Sequence, residues 1–419
     1  MAKNSIRDFS ATAASNTDIQ SVDIDENCAA SGINNAIREL MADLADVNAG
    51  TVAMTNPSAD SLSTDTISEK TSGSGVTIDS VLLKDGALGS IASAVAAHLT
   101  SINGGQIGGN RNLIINGAMT INQRGTQTGV YTNTYGLDRF GLGGSGSQRL
   151  TYSQSTTVPS GQGFSNSLKL DVTTADTSVA ASDYEILSHR FEGQDLQHLK
   201  YGTSGAKSLT LQFWVRSPKT GIHIVEIQHA DAGYINPQPY TIASANTWQK
   251  VEVTFDGYQT TAITDDNTLG FLINWWLMAG SNYSSGTLTA NNWHNTTVNR
   301  AAGQVNVMDS TSNEFYLTGV QLEVGGTATE FEHRSIGDEL ARCKRYFQIL
   351  SDEAYSGTGN TNYLQWWFSP EMRATPTISG DVTGTADGTN KQFAQRYNSG
   401  NSHAIFYGGS NPTKADAEL

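Results

Sequence analysis

Through the middle of the chain, apolar and polar residues alternate with a period of two. Leu168, Leu170 and Val172 fall on one parity, and Lys169, Asp171 and Thr173 on the other. Leu211, Phe213 and Val215 alternate with Gln212, Trp214 and Arg216. Val251, Val253 and Phe255 alternate with Glu252 and Thr254, and Phe315 and Leu317 repeat the pattern. Successive side chains of a strand point to opposite faces, so each stretch predicts a half-buried strand. Turn residues separate the stretches and no helical spacing intervenes, which predicts an antiparallel sandwich or barrel. Phe271–Met278 is apolar on both parities and predicts a central strand covered on both sides.

The N-terminal part has a different period. In Asn27–Asn48 the residues Ile33, Ile37, Leu40, Leu44 and Val47 are spaced 4, 3, 4, 3. In Ala87–Asn103 the residues Leu88, Ile91, Val95, His98 and Ile102 are spaced 3, 4, 3, 4. Both match the seam of a coiled coil, and both also suit an ordinary amphipathic helix. Between them, Thr66–Gly86 predicts a strand–turn–strand unit around the alternating Val76–Asp79, and Gly104–Asn110 reads as a hinge. Residues 1–110 hold no Trp or Tyr and one Phe, Phe9. So few large side chains cannot build a private core. The two seams are therefore expected to pack against copies of the chain, with His98 as a polar seam residue that sets register.

Toward the C-terminus, Ser335 and Asp338 resemble a capping box, and Leu340, Cys343 and Phe347 continue a helix expected over Ile336–Leu350. Short strands follow at Tyr363–Ser369, Thr377–Val382 and Ala404–Tyr407. The expected organisation is thus an N-terminal segment with a helix (1–60), a short coiled-coil and β stalk (61–110), a central antiparallel β-sandwich (111–334), and a linker helix with a small β-rich tip domain (335–419).

Composition narrows the function. Of 419 residues only 16% are charged, against a typical ~25%, and 42 are Gly. Seven Trp, 15 Tyr and 13 Phe supply enough ring surface for a core. A net charge of −15 without a Lys/Arg run argues against nucleic acid and against an anionic membrane surface. Cys28 and Cys343 lie too far apart in sequence for spacing to imply a disulfide. The opening MAKNSIRDFS is polar, and no run approaches the ~20 apolar residues of a membrane span. The expectation is a soluble chain, not secreted by a cleaved signal and not membrane-spanning. A surface suited to the cell exterior then needs another exit, such as release with a virion on lysis.

Candidate chemistry is sparse. Gly141–Gly146 spells G-x-G-x-x-G, but Ser/Thr-rich sequence follows it where a nucleotide site needs a helix, so it reads as a hairpin loop. No G-x-S-x-G elbow occurs. His223 and His229 share a strand parity with Val225 and Ile227 and suit either metal ligands or rim residues. Asp183/Glu185 and Asp265/Asp266 are the acid pairs a glycoside hydrolase would need. No catalytic residue, metal or cofactor is assigned, and no enzymatic activity is expected. Aromatics among Asn, Ser and Thr are more informative, because flat rings stack on sugar C–H faces and amides bind hydroxyls. Trp214, Trp276, Tyr283 and Trp293 are the candidate glycan-binding residues. Trp275 and Trp276 face opposite ways, and both suit a core equally well. Tyr363, Trp366, Trp367 and Phe368 form a second aromatic group.

Several stretches together resemble tail fibres of tailed bacteriophages, particularly marine ones. Asn112–Met119 (NLIINGAM) and Tyr135–Phe140 (YGLDRF) resemble the opening of the carbohydrate-binding-module-like domain of such fibres. Ile186–Gly202, Leu209–Ser217, Thr247–Phe255 and Phe315–Glu323 continue the resemblance in order, and Phe331–Phe347 resembles the linker helix after it. Glu371–Thr377 (EMRATPT) resembles a motif of the strands that follow. The resemblance implies a jelly-roll sandwich, an elongated homotrimer, an N-terminal attachment segment (1–60) docked on other tail proteins of the virion, and distal domains that adhere to host cell-surface glycan. Related modules often hold a structural calcium with an acidic residue in the last strand. Thr318-Gly319 stands there instead, which argues against calcium. Two other readings stay open: a tailspike-like depolymerase, disfavoured by the absence of a ~20–25-residue rung repeat, and a purely structural virion fibre or adaptor.

Overall fold

The computed structural model describes residues 8–10, 12–25, 27–49, 76–78, 81–84, 87–88, 110–350, 353–355, 361–383, 385–399, 404–406 and 412–419. The chain divides into two compact units, Met1–Ala97 and His98–Leu419.

In the first unit, β1 (Asp18–Ile19) and β2 (Val22–Asp23) form a hairpin against α1 (Ala30–Asn48). The side of α1 bearing the buried Ala36 and Asp43 meets the hairpin, and Gln20 Nε2 donates to Asp43 Oδ1 at 2.8 Å. Ile33, Ile37, Met41 and Leu44 of the expected seam side are left about half exposed, at 49, 52, 65 and 54%. Leu40 and Val47 are half-buried. Three short strands, β3 (Val76–Ile78), β4 (Val81–Lys84) and β5 (Ala87–Leu88), form an antiparallel sheet. The strand–turn–strand reading holds there. Leu88, however, pairs with Leu83 in a strand and does not open a helix. Ile91, Val95, His98 and Ile102 lie outside the described residues.

The second unit is built on a β-sandwich of twelve strands. They are β6 (Gln127–Val130), β7 (Thr134–Tyr135), β8 (Phe140–Ser145), β9 (Arg149–Ser155), β10 (Ser167–Thr174) and β11 (Tyr184–Glu192). They continue as β12 (Leu209–Arg216), β13 (Gly221–His229), β14 (Tyr234–Ile242), β15 (Gln249–Phe255), β16 (Leu269–Ala279) and β17 (Glu314–Val324). One six-stranded antiparallel sheet runs β15-β12-β17-β10-β9-β6, the other β14-β13-β16-β11-β8-β7. The alternation in sequence sets the faces. Leu168, Leu170, Leu211, Phe213, Val215, Phe315 and Leu317 are fully buried between the sheets. β16 fulfils the doubly apolar reading. Phe271, Ile273 and Trp275 enter the main core, while Trp276 on the outer side joins Ile224 and Ala301 under the segment that follows the strand. β14 carries Pro237 and Pro239 yet stays in the sheet because it is an edge strand, where ring nitrogens need no ladder partner.

After a four-residue helix, α2 (Ser281–Ser284), comes α3 (Ile336–Lys344). Ser335 Oγ accepts from Asp338 N at 3.1 Å, as its capping position predicts. α3 ends well short of Leu350, because β18 (Phe347–Ile349) leaves the helix to pair with β26 (Lys414–Asp416). The remaining strands are β19 (Glu353–Tyr355), β20 (Thr361–Trp367), β21 (Thr377–Ser379), β22 (Val382–Thr383), β23 (Thr385–Thr389), β24 (Phe393–Ser399) and β25 (Ala404–Phe406). With β18 and β26 they form three three-stranded sheets, β18-β26-β21, β19-β25-β22 and β20-β24-β23.

Residues 335–419 fall in the same compact unit as the sandwich. Glu192, fully buried at the end of β11, accepts from Arg345 Nε (2.8 Å) and Nη2 (2.6 Å) and from the Tyr346 hydroxyl (2.6 Å). Buried Arg139 pairs with Glu418 and stacks 3.4 Å over the Tyr346 ring. Among the described residues no helix is long and apolar enough to cross a membrane. Cys28 and Cys343 are both free thiols.

Candidate functional site

The sequence-derived aromatics have different fates. Trp276 is 1% exposed, sealed by Tyr184, Tyr283 and the Arg300 guanidinium 5.0 Å from its ring. A ring so covered has no face for a ligand, which corrects its assignment as a stacking residue. Tyr283 is the half-buried cover of that indole, 5.4 Å away. Trp293 is half-buried against the core. Its Nε1 donates to Asp256 O at 2.7 Å, and its ring lies 5.1 Å from Tyr258. The structure does not bring these three together with Trp214.

Trp214 alone lines a surface cavity, one of about 130 Å³. It stands on the outer parity of β12, the side its polar neighbours predicted. Lys250 of β15 is its cross-strand partner. Phe164 comes from the loop before β10, and Phe331 and His333 from the segment after β17. The three rings interlock: Phe164 lies 5.0 Å edge-on to Phe331 and 5.5 Å from His333, and Phe331 lies 4.8 Å from His333. Gln162, Gln212 and Glu330 complete the lining.

The floor of this cavity is Gly319. β17 shifts register against β12 between Gln212 and Trp214, and Gly319 at the bulge has φ +61°. A β-carbon there would lie 2.6 Å from Phe164 Cζ and 3.0 Å from Trp214 Cδ1. Only glycine permits the backbone geometry and the close approach of both rings. Next to it, Thr318 Oγ1 donates to Asn166 O at 2.7 Å and holds down the loop that carries Phe164.

Gln212 is the buried polar element. Its side chain is 2% exposed, its Nε2 donates to Thr329 O at 2.7 Å, and its Oε1 has no hydrogen-bond donor. A buried acceptor without a donor costs about 1–3 kcal/mol. That oxygen is closed to solvent, so the polar groups open to a ligand are the exposed Gln162, Lys250 and Glu330 of the rim. The arrangement therefore offers flat rings for C–H faces and a rim of amide, Lys250 and Glu330.

The other candidates lie elsewhere. Gly141–Gly146 is strand and not loop: all but Gly146 lies in β8, paired with β11. A β-carbon at Gly144 would fall 2.5 Å from Glu185 Oε2, so its glycine serves packing. His223 and His229 are buried, with Nε2 against Lys219 O and Thr261 O at 3.0 Å each. Burial pulls His223 down to about 4. Among the described residues no group of three potential metal-ligating side chains converges. Glu185 is buried with Gln148 Nε2 at 2.7 Å, and desolvation holds its carboxyl well above the ordinary range. Asp183 Oδ2 accepts from Ala180 N at 3.2 Å, and Asp266 Oδ1 from Thr268 N at 2.9 Å. None of these acids lines the Trp214 cavity.

Phe164, Phe331, His333, Gln162 and Gln212 were not singled out in the sequence. They come from three segments spread over Gln162–His333. The signal available was a Phe directly after two closely spaced glycines (GQGF) and a glycine inside an otherwise regular strand (TGV).

No protein-family model matches the sequence, and no curated protein matches it. Among solved structures, the enzymatically active domain of tailspike protein 4 of bacteriophage CBA120 overlaps 51% of the chain at 12% identity, TM-score 0.28. The chain spans 21% of that domain's length. A family 11 carbohydrate-binding module of Clostridium thermocellum cellulase Lic26A-Cel5E overlaps 50% of the chain and 98% of the module, at 12% identity and TM-score 0.24. A putative sugar binding protein from Bacteroides thetaiotaomicron overlaps 51% of the chain and 99% of that protein, at 13% identity and TM-score 0.28. Overlap at this level transfers no ligand and no residue role.

Proposed function

We propose that this chain is a non-enzymatic adhesive fibre protein of a phage virion that binds host cell-surface glycan in the Trp214 cavity. The observation that carries the binding reading is the cavity itself: interlocked rings over Gly319 within a rim of exposed polar side chains. A sugar suits both features, a C–H face for the indole and hydroxyls for the exposed Gln162, Lys250 and Glu330 of the rim. The virion reading rests on the ordered resemblance of Asn112–Thr377 to tail-fibre segments. Self-association, as a trimer, is supported by the open apolar stripe of α1. Single-sugar contacts are weak, and three chains multiply them through avidity.

The test is a printed array of neutral and acidic oligosaccharides probed with the purified full-length chain and with Trp214→Ala. Binding that the substitution weakens tenfold or more supports the site. Equal binding by both proteins excludes it. Shortening of an array polysaccharide during incubation would replace adhesion with the depolymerase reading.

A further inference from the structure

We propose that the outer face of the β20–β24 ladder is a second carbohydrate-stacking site, with Trp367 as its platform and a neutral pyranose as its ligand. This rests on the glycan-binding reading but uses none of the Trp214 cavity's residues. Trp367 is 62% exposed, whereas its neighbours turn inward. Trp366 packs partly buried on the C-terminal core and Phe368 is 7% exposed within it.

Trp367 is not a loose surface ring. It sits opposite Phe393 in the antiparallel register, with ring centroids 5.3 Å apart at 57°. Phe393 is itself fixed by the turn before it, where its N–H donates to Asn390 Oδ1 at 3.0 Å. The indole is therefore braced along one edge, and its stacking face is set before any ligand arrives. Two residues along each strand, on the same face, Gln365 and Gln395 stand opposite one another. Carboxamides both donate and accept, as sugar hydroxyls require, and carry no charge. Lys391 of the turn is paired with Glu371 at 2.7 Å, so the rim favours no ionic ligand.

Size decides between a sugar and a second protein surface. A Trp this exposed shows roughly 150 Å² of ring and stem. A stable protein interface needs about 1,000 Å² or more and an apolar centre. No aliphatic residue is paired on this face of the ladder: beyond the two rings and the two amides its register continues with Tyr363 opposite Tyr397 and Thr361 opposite Ser399. One pyranose covers such a patch, and a subunit does not.

Array binding and calorimetric titration of the full-length chain test the proposal, with the array's strongest neutral tetrasaccharide as the calorimetric probe. The variants are Trp367→Ala, Trp367→Phe, Trp214→Ala and the Trp214/Trp367 double alanine. The wild type is expected to take two tetrasaccharides per chain. Trp367→Ala should take one and lose fivefold or more in array avidity. Trp367→Phe should keep most of the binding, and the double variant none. Trp367→Ala with wild-type stoichiometry, beside an impaired Trp214→Ala, overturns this site and leaves the cavity standing. A shift in sedimenting mass on Trp367→Ala overturns it in favour of a subunit contact. A wild-type chain that binds no sugar overturns both.

Discussion

Gly319 shows how one residue can hold a site that is otherwise scattered along the chain. Valine there would need a strained φ and would collide with both Phe164 and Trp214. Gly319→Val is expected to weaken array binding tenfold or more, as loss of the cavity does, and to lower the melting temperature by several degrees, roughly what 1–3 kcal/mol of overpacking implies. Trp214→Ala should weaken array binding tenfold or more with a melting temperature within about 2 °C of wild type, because the side chain is partly exposed. If both variants bind normally in the same assay, the cavity is not the site. Glu185 makes a pH prediction. Its folded carboxyl keeps its proton well above 4.5, while the unfolded chain releases it near that value. Between the two, the unfolded state binds fewer protons, so this group's contribution to stability falls as pH rises from about 4.5. Glu185→Gln is neutral throughout. It should match wild type near pH 4 and melt higher at pH 7–8, and equal melting at both pH values would refute the burial argument. Legibility at this scale was partial. The outward parity of Trp214 follows from its strand, since period two needs only local sequence. The burial of Trp276 does not, because the segment that covers it returns from Tyr283, Arg300 and Ala301, beyond the strand itself.

The elements themselves were more readable, and their misreadings share a cause. The strands around Leu168, Leu211, Val251 and Phe315, the doubly covered β16 and the capped start of α3 all follow from residues within one element. α3 stops early because Phe347 is drawn into a tertiary pairing with β26, some seventy residues away. Leu88 likewise joins β4 by a strand pairing that its helical spacing does not reveal. α1 shows the converse case: its 4, 3 spacing is real, yet within one chain the hairpin takes the Ala36–Asp43 side and leaves Ile33, Ile37 and Leu44 open. A 19-residue helix with such an open stripe is marginal in water without a partner. Ile37→Asp with Leu44→Asp is therefore expected to reduce a trimeric mass to that of a monomer in sedimentation analysis. The near-UV signal of the aromatic-rich second unit should remain. A wild-type chain that sediments as a monomer, or a variant that stays trimeric, rules out α1 as the seam.

At the scale of the whole molecule, the sequence suggests a separate tip domain after Ser335, since a helix and a change of texture mark the place. The contacts that tie this part to the sandwich are single polar residues at the ends of elements, which no periodicity announces. Glu192 receives three hydrogen bonds from Arg345 and Tyr346, and Arg139 holds Glu418 against Tyr346. Both acids and Arg139 are almost wholly removed from solvent. Removing one partner of a pair buried at both ends, such as Arg139–Glu418, strands the other and costs about 3–5 kcal/mol, whereas an exposed pair is worth about 1 kcal/mol or less. The Glu192 joint lies between, because Arg345 keeps 34% of its side-chain surface. The proposed adhesive function, with sites on the sandwich and on the later strands, would put load on this joint and needs the stronger kind. The expected consequence is that the second unit melts in a single calorimetric transition. Glu192→Ala should split it, with residues 335–419 melting first and the sandwich near its original temperature. The control Lys250→Ala, which removes the exposed pair with Glu252, should leave the single transition within about 2 °C. A wild-type scan already resolved into two transitions, or an unsplit Glu192→Ala scan, would show that the two parts are joined by something other than this buried charge.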